Sequence, residues 1–578
     1  MTSYSSSKKS NSATRAKFII GAVFIFGVIL IYRLADLQLI NTQEIQASAA
    51  RQQSTVRILP AERGKIFYKE RIGDEEFPVA TNRSYNQVFI IPKDIQDPIK
   101  AAEKLLPLVE PYGLDEETLL FRLSKQNDIY EPLAHKLTDE ELEPFIGLDL
   151  IGLESEDEKA RFYPDADLLA HITGFVGVSE QGKVGQYGLE GFFENELKGK
   201  DGLIEGKTDI FGRLIQTGTL KRTQGEPGDD LLLTIQRTLQ AYVCRKLDEK
   251  IEQIRAAGGS VIIVNPDTGA ILAMCSSPSF DPNNYNQVED ISVYMNPAVS
   301  SSYEPGSIFK PFTMAAAINE KAVTSDTTYI DEGVEEIGKY KIRNSDNKAH
   351  GEVNMVTVLD ESLNTGAIFV QRQIGNEKFK DYVEKFGFGR TTDIELGNEV
   401  SGNISSLYKD GDIYAATGSF GQGITVTPIQ MVMAYAAIAN GGKLMQPYLI
   451  AQRQRQDKTI VTEPVQIDEP ISVQASTIVS GMLVSVVRAG HAISAGVEGY
   501  YIAGKTGTAQ VAEGGGYGSK TIHSFAGFGP VDEPVFAMLV KLDYPQYGAW
   551  AANTAAPLFG ELAKFILQYY EIPPDEAI

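Results

Sequence analysis

Tyr303-Glu-Pro-Gly-Ser-Ile-Phe-Lys-Pro311 is the stretch on which the reading of this 578-residue chain turns. Pro305 and Gly306 disfavour regular structure just before Ser307, and the apolar run Phe312 to Ile318 follows. Proline is tolerated only in the first turn of a helix, where backbone N–H groups have no partner within the helix. Pro311 therefore fixes a helix start near Ser307. That start sets the Ser307 hydroxyl beside free N–H groups and the positive end of a helix dipole. Lys310, three residues on, falls on the same face. A hydroxyl, an amine and spare backbone donors are the parts that acyl transfer needs.

A bare S-x-x-K carries little by itself, because Ser406-Leu-Tyr-Lys409 matches it too, in a polar turn with no Pro-Gly before it. Two further motifs give the first one meaning. Lys505-Thr-Gly507 is the single K-T-G of the chain, set between the strand-like stretches Tyr501 to Gly504 and Thr508 to Val511. A period of two puts Lys505 and Gly507 on one face. The lysine is then expected over the site, while the bare Gly507 lets another element pack close. For the third part there are four S-x-N triplets, at Ser84, Ser345, Ser362 and Ser401. The literal Ser345-Asp-Asn347 lies in a charged loop, Lys341 to His350, with little to fix it. Ser362-Leu-Asn364 sits between the apolar helical runs Val356 to Leu359 and Ile368 to Val370. A catalytic pair needs rigid supports, which selects Ser362 and Asn364.

Outward from these motifs, a net charge of −23 with no offsetting basic segment argues against nucleic acid. The hydrophobic fraction of 43% is that of globular protein. Cys244 and Cys275 are too few for a disulfide framework, sit in apolar settings and read as buried small hydrophobes. The five histidines are scattered, with no H-E-x-x-H; they read as structural, with His523, near the K-T-G strand, as a candidate to line the cleft. No metal or cofactor site is expected.

Residues 1–17 are expected to be a cytoplasmic tail and 18–40 a transmembrane signal anchor. Phe18 to Tyr32 carries no charge, and Lys17 and Arg33 can snorkel to lengthen the span. Lys8, Lys9, Arg15 and Lys17 precede it, which puts the N-terminus in the cytoplasm and the rest outside. A cleaved signal peptide is the competing reading, but the A-x-A-like Ala47-Ser-Ala49 lies too far beyond the apolar run. Residues 41–228 alternate strand-like runs (Asn86 to Ile91) with helical ones (Ile99 to Leu108, Glu116 to Leu123). Arg161 to Pro164 and Gly174 to Gly177 read as turns, and Gly188 to Gly199 as a helix closed by glycine. From 229 to 570, strands at Leu231 to Ile235, Ser260 to Val264, Ile271 to Cys275, Tyr501 to Val511, His523 to Phe528 and Val535 to Leu542 frame a mostly helical insert. A helix at Gln236 to Ala256 and another at Glu561 to Tyr570 complete an α+β design, an antiparallel sheet with helices packed on it. Residues 571–578 form a short tail.

S-x-x-K, S-x-N and K-T-G in this order are the signature of penicillin-binding proteins and class A β-lactamases. The chain resembles a class B penicillin-binding protein over nearly its whole length. Val264 to Met274 is similar to that family's hairpin before the nucleophile, and Gly421-Gln-Gly-Ile-Thr-Val-Thr-Pro-Ile-Gln430 to a helix start it uses. Arg63-Gly-Lys-Ile66 and Gly188 to Gly199 resemble its elongated pedestal, or dimerisation-type, domain. The pattern departs from the family at Phe67 to Arg71, where Asp-Arg-Asn-Gly is usual, and at Gln236, where Asp is usual.

The resemblance implies a peptidoglycan D,D-transpeptidase without a cofactor. Ser307 would be the nucleophile, Lys310 its base and Ser362 a proton relay, with Asn364 on the substrate amide. Lys505, Thr506 and Thr508 would bind the terminal carboxylate beside Gly507, and the N–H groups of Ser307 and Thr508 would form the oxyanion hole. Its partners would be stem peptides, β-lactams, a multi-pass lipid II glycosyltransferase and other division or elongation proteins. Ser419 to Pro428 and Glu395 to Gly402 look more like the cell-division type than the elongation type. A β-lactamase or D,D-carboxypeptidase, and a non-catalytic penicillin sensor or scaffold, are the alternative readings.

Overall fold

The computed structural model describes residues 12–40, 54–71, 73, 75–179, 182–207, 221–513 and 516–576. The polar stretch 1–11, Ala47-Ser-Ala49 and the last two residues of the tail lie outside the described residues. The chain divides into two units, residues 1–62 with 199–227 and residues 63–198 with 228–578.

In the smaller unit, Arg15–Gln38 is a 24-residue helical span whose most apolar 18 residues have a mean hydropathy of 2.4. At 1.5 Å per residue that is long enough for the hydrocarbon core of a bilayer. Phe18, Ile20, Phe24 and Ile31 are all exposed, as a span meant for lipid requires. The unit also holds an antiparallel sheet of Ser54–Leu59, Gly202–Lys207 and Lys221–Thr223.

The larger unit is α+β. At its centre lies an antiparallel five-stranded sheet, ordered Ile271–Ser277, Gly258–Val264, Phe536–Asp543, Gly516–Gly529, Ala503–Glu513. Gly258–Val264 is buried at every position, because helices cover both faces of the sheet. That is why its sequence is a continuous apolar run rather than an alternating one. Helices Arg237–Ile254 and Ala555–Tyr569 pack together on it, with Tyr242 and Phe565 stacked at 3.8 Å. Helix Pro428–Ala439, buried from Pro428 to Ile438 and capped by Thr427 and Gln430, packs on the sheet as well. Ala503–Glu513, which carries the K-T-G, is an edge strand of this sheet, and helix Val473–Arg488 lies against it.

A second, seven-stranded sheet contains Ile66–Lys69, Glu76–Ile90, Glu131–Leu137, Leu153–Phe162, Asp230–Gln236, Ile450–Arg455 and Lys458–Val461. Helices Pro98–Val109, Glu116–Leu123 and Asp139–Ile146 build a separate small core at one end of it, around Val88, Leu105 and Leu119. The segments singled out upstream meet here. Glu190, fully buried, receives Arg63 Nε at 2.7 Å and Arg161 Nε at 2.6 Å, and Gly64 N donates to Leu197 O at 2.8 Å. Burial alone would raise the Glu190 carboxyl; the two guanidiniums hold it low. The two departures from the family pattern also meet: Lys69 is in parallel register with Gln236, and Thr238 donates to Glu70 at 2.9 Å.

Three expectations need correction. Arg161 and Phe162 are the last two residues of a ten-residue strand, and Phe175–Ser179 is itself a strand, paired with Gly182–Gln186, so neither segment is a simple turn. Gly188 to Lys198 is two short helices, Gly188–Phe192 and Glu194–Lys198, with Phe193 between them. Cys244 and Cys275 are not separate apolar residues but a disulfide. Packing of helix Arg237–Ile254 on strand Ile271–Ser277, pinned by buried Gln240 to both the N–H and the C=O of Met274, brings their Cα atoms to 5.4 Å. A lone pair 31 residues apart carries no sequence signal for that.

Candidate active site

The helix start that Pro311 dictates is present. Gly306–Phe309 forms a 3₁₀ turn that runs into helix Lys310–Asn319, with Pro311 in the first turn. Strand-like bonds hold the approach to this turn: Tyr303 N donates to Val426 O at 3.0 Å and Val426 N to Tyr303 O at 2.9 Å. Gly306 N donates to Gly421 O at 3.1 Å, and the Tyr435 hydroxyl donates to Ile308 O at 2.8 Å. Ile308 and Phe309 are fully buried, whereas Ser307 keeps partial exposure. A hydroxyl open to a ligand therefore stands on a backbone fixed from below.

Lys310 is 1% exposed, and its side-chain nitrogen donates to Ser362 O at 2.6 Å and Ser362 Oγ at 3.2 Å. Burial, assisted by the charge of Lys505, pushes its pKa well below that of an ordinary lysine. Ser362 occupies the tight turn between helices Met355–Asp360 and Asn364–Ile374, with a left-handed φ of +56°. Non-glycine residues rarely hold that conformation unless surrounding contacts impose it. Here Ser362 N donates to Leu359 O and Leu363 N to Val358 O, closing the turn.

Asn364 is the first residue of its helix. Its side chain donates to Arg343 O at 2.8 Å, and its N–H donates to Asn344 Oδ1 at 2.9 Å. Asn344 is a residue the sequence did not reveal. It is buried, donates to both oxygens of Asp331, and also accepts from the Thr365 N–H. The loop around Ser345 is therefore tethered, contrary to expectation; its tether is Asn344, while Ser345 itself is exposed. Ser401, another of the triplets, bonds its own neighbour Gly402 O, and Ser406 of the second S-x-x-K donates to Gly423 O at 2.6 Å.

On the edge strand, Thr506 and Thr508 are partly exposed, and Lys505 and Gly507 are buried. Lys505, expected over the site, is fully buried, and its charge is felt by Lys310 there. Burial pulls its pKa down to about 8, with the Asp360 carboxylate opposing the shift. Gly507 serves the expected close approach: a Cβ there would meet Ser524 Oγ at 2.7 Å, Ile308 Cγ2 at 3.0 Å and Pro305 O at 3.1 Å. The strand thus lies directly on the turn that carries Ser307. Thr508 Oγ1 accepts from Ala551 N at 3.0 Å, which ties the segment before helix Ala555–Tyr569 to the strand. His523, cross-strand from Thr508, has Nδ1 on Thr554 Oγ1 at 2.8 Å and Nε2 on Thr521 Oγ1 at 3.1 Å. Burial lowers its pKa to about 4, so it braces this segment as a neutral ring. Among the described residues no three His, Cys, Asp or Glu side chains are grouped as a metal site.

Residues 58–233 match the family of penicillin-binding protein dimerisation domains, and residues 259–564 that of penicillin binding protein transpeptidase domains. Stage V sporulation protein D of Bacillus subtilis is 33% identical, covering 98% of this chain and 87% of that protein. Peptidoglycan D,D-transpeptidase FtsI of Escherichia coli K12 is 29% identical over 97% of this chain and 92% of its own length. Among solved structures, penicillin binding protein 2X from Streptococcus thermophilus superposes with a TM-score of 0.72 at 23% identity, covering 89% of this chain and 80% of that one. Penicillin binding protein 3 from Mycobacterium tuberculosis, complexed with aztreonam, does so with a TM-score of 0.69 at 25% identity, covering 90% and 98%.

Proposed function

The chain belongs to the class B penicillin-binding proteins, peptidoglycan D,D-transpeptidases of the serine acyltransferase type, and from that membership we propose how its own residues divide the reaction. Ser307 Oγ attacks the carbonyl of the penultimate D-Ala of a stem peptide, and neutral Lys310 accepts its proton. The N–H groups of Ser307 and Thr508 hold the oxyanion. Each such donor is worth about 10²–10³ in rate. Ser362 passes the proton to the departing D-Ala amine, and the peptide carbonyl remains esterified to Ser307. The amine of a second stem peptide then attacks the ester, yields its proton back toward Ser307 Oγ, and leaves a cross-link. Thr506, Thr508 and the cation of Lys505 hold the terminal carboxylate; Asn364 holds the substrate amide.

The observation that carries this reading is the buried Lys310 amine bonded to the Ser362 hydroxyl. A proton can pass between the two groups without crossing water. Gly507 supports it by letting the edge strand that carries Thr508 approach the turn that carries Ser307.

Residues 229–570 are proposed as the transpeptidase module and 41–228 as the pedestal, with 18–40 crossing the membrane once. The cytoplasmic N-terminus is supported by the basic residues Arg15 and Lys17 at the head of the apolar helix, and by the Cys244–Cys275 disulfide, which suits an oxidising exterior. A lipid II glycosyltransferase is the proposed companion, since the region before the transpeptidase module matches a dimerisation domain rather than a second catalytic one. Cell division is the proposed setting; a fluorescent fusion should collect at midcell, and patchy lateral signal would contradict that assignment.

The test of the mechanism is a donor–acceptor assay. A D-Ala-D-Ala stem peptide and an amine acceptor should give cross-linked product and free D-Ala with wild type, and neither with Ser307→Ala. Hydrolysed donor as the main product would favour a carboxypeptidase instead.

A further inference from the structure

Two buried polar groups beside this site lack the partners their burial demands. Lys505 is fully buried, and the hydrogen bond its ammonium makes, to Thr506 O, is long at 3.5 Å. Asp360 Oδ1 is buried with no hydrogen-bond partner. An unpaired charge or polar atom in such surroundings is costly, so each has reason to be held by the other's field. Asp360 ends helix Met355–Asp360, two residues before Ser362. Its second oxygen, Oδ2, accepts from Ser485 Oγ at 2.9 Å, which fixes the carboxylate against helix Val473–Arg488. The same helix packs on the K-T-G strand. Beyond its end, Gly490 has no room for a side chain: a Cβ would lie 2.9 Å from Asp360 O and 3.0 Å from its Cα. The carboxylate is thereby held against the helix that in turn packs on the strand of Lys505.

We propose that Asp360 is a positioning residue whose carboxylate sets the charge state of the Lys505–Lys310 pair. The proposal rests on the roles given to those two lysines above. The groups that face Asp360 are Glu361 on its own turn, Ser485 and His491 from the helix and its continuation, and Lys505 on the strand. His491 is exposed and sits 3.2 Å from Glu361, so Lys505 is the buried cation among them. With the anion in place, Lys505 stays protonated up to about pH 8 despite its burial. A protonated Lys505 attracts the substrate carboxylate and, by repulsion, keeps Lys310 free to accept a proton. Without the anion, Lys505 sheds its proton at lower pH; the carboxylate then loses its cation and Lys310 loses the charge that keeps it neutral.

The sign of this effect separates it from mere support of the fold. Asp360→Asn keeps the shape and removes the charge. The second-order rate of acylation by a fluorescent penicillin should therefore fall off earlier on the alkaline side, its midpoint moving down by about one pH unit. The loss relative to wild type grows to about tenfold above pH 8 and vanishes near pH 6, where Lys505 is charged in both proteins. Asp360→Glu, which restores a carboxylate, should recover part of the alkaline activity. A loss of equal size at every pH, or a profile that coincides with wild type, overturns the proposal. If Asp360→Asn gives no cooperative melt, the smaller Asp360→Ser is read in the same way. Failure of wild type itself to be acylated would instead strike the reading of Ser307 and Lys310.

Discussion

Gly421→Ala is a small change outside the three motifs that should nearly silence the enzyme. Gly421 has φ +78°, where an alanine costs about 1–2 kcal/mol. A Cβ there would also stand 2.3 Å from Gly306 O, 2.7 Å from Gly306 N and 3.0 Å from Gly306 C. Carbon–oxygen contacts settle at about 3.3–3.6 Å, so the backbone of Gly306 must retreat by about 1 Å. The bond from Gly306 N to Gly421 O goes with it, adding about 0.5–1.5 kcal/mol. The summed cost of about 1.5–3.5 kcal/mol leaves a protein that still folds. Gly306 is, however, the residue before Ser307, and a 1 Å misplacement of a reacting group costs about 10²-fold in rate. Gly423→Ala is the control. It has φ +75°, but its Cβ would meet only Thr417 Oγ1, at an ordinary 3.4 Å. Both variants should melt somewhat below wild type. The second-order acylation rate, followed by stopped-flow or gel fluorescence, should fall about 10²-fold for Gly421→Ala and by a few-fold at most for Gly423→Ala. Equal rates for the two would refute the claim that Gly421 positions the nucleophile turn.

Asn344→Ala removes the acceptor of the Asn364 and Thr365 N–H groups and a donor to Asp331. It should lower both the melting temperature and the acylation rate, with about 1–3 kcal/mol lost for each buried group left unpaired. Ser345→Ala, which changes an exposed hydroxyl in the literal S-D-N, should alter neither, and reduced acylation by that variant would reopen the choice of Ser362. Replacing Cys244 and Cys275 together by serine opens a loop spanning 31 residues and should cost about 3–4 kcal/mol of stability. Calorimetry with and without reductant should show the same drop for wild type; insensitivity to reductant would contradict the bond.

Much of this site was legible because each motif brought its own structural context. Pro311 could only sit in a first turn, and the helical turn does begin at Gly306. Apolar runs on either side of Ser362 and Asn364 become two helices with a strained turn between them. The apolar run Val261 to Val264 becomes a strand covered on both faces. What stayed hidden depends on contacts between residues far apart in sequence. Asn344 matters because it caps a helix that starts at residue 364, and Asp360 because Ser485 and Lys505 fold against it. The Cys244–Cys275 bond depends on the packing of a helix on a strand, which no spacing rule foretells. Lys505 illustrates a subtler limit. Strand alternation correctly pairs it with Gly507, but alternation alone does not say which of the two faces is covered.

We propose Ser307 as the acylated residue of a slow-deacylating transpeptidase. The most direct test of that claim is peptide mapping by mass spectrometry after a brief exposure to benzylpenicillin. A single penicilloyl adduct is expected, on the peptide carrying Ser307, and it should persist long after excess antibiotic is removed. An adduct on Ser406 or Ser362, or one that is lost within seconds as a β-lactamase would lose it, would contradict the claim.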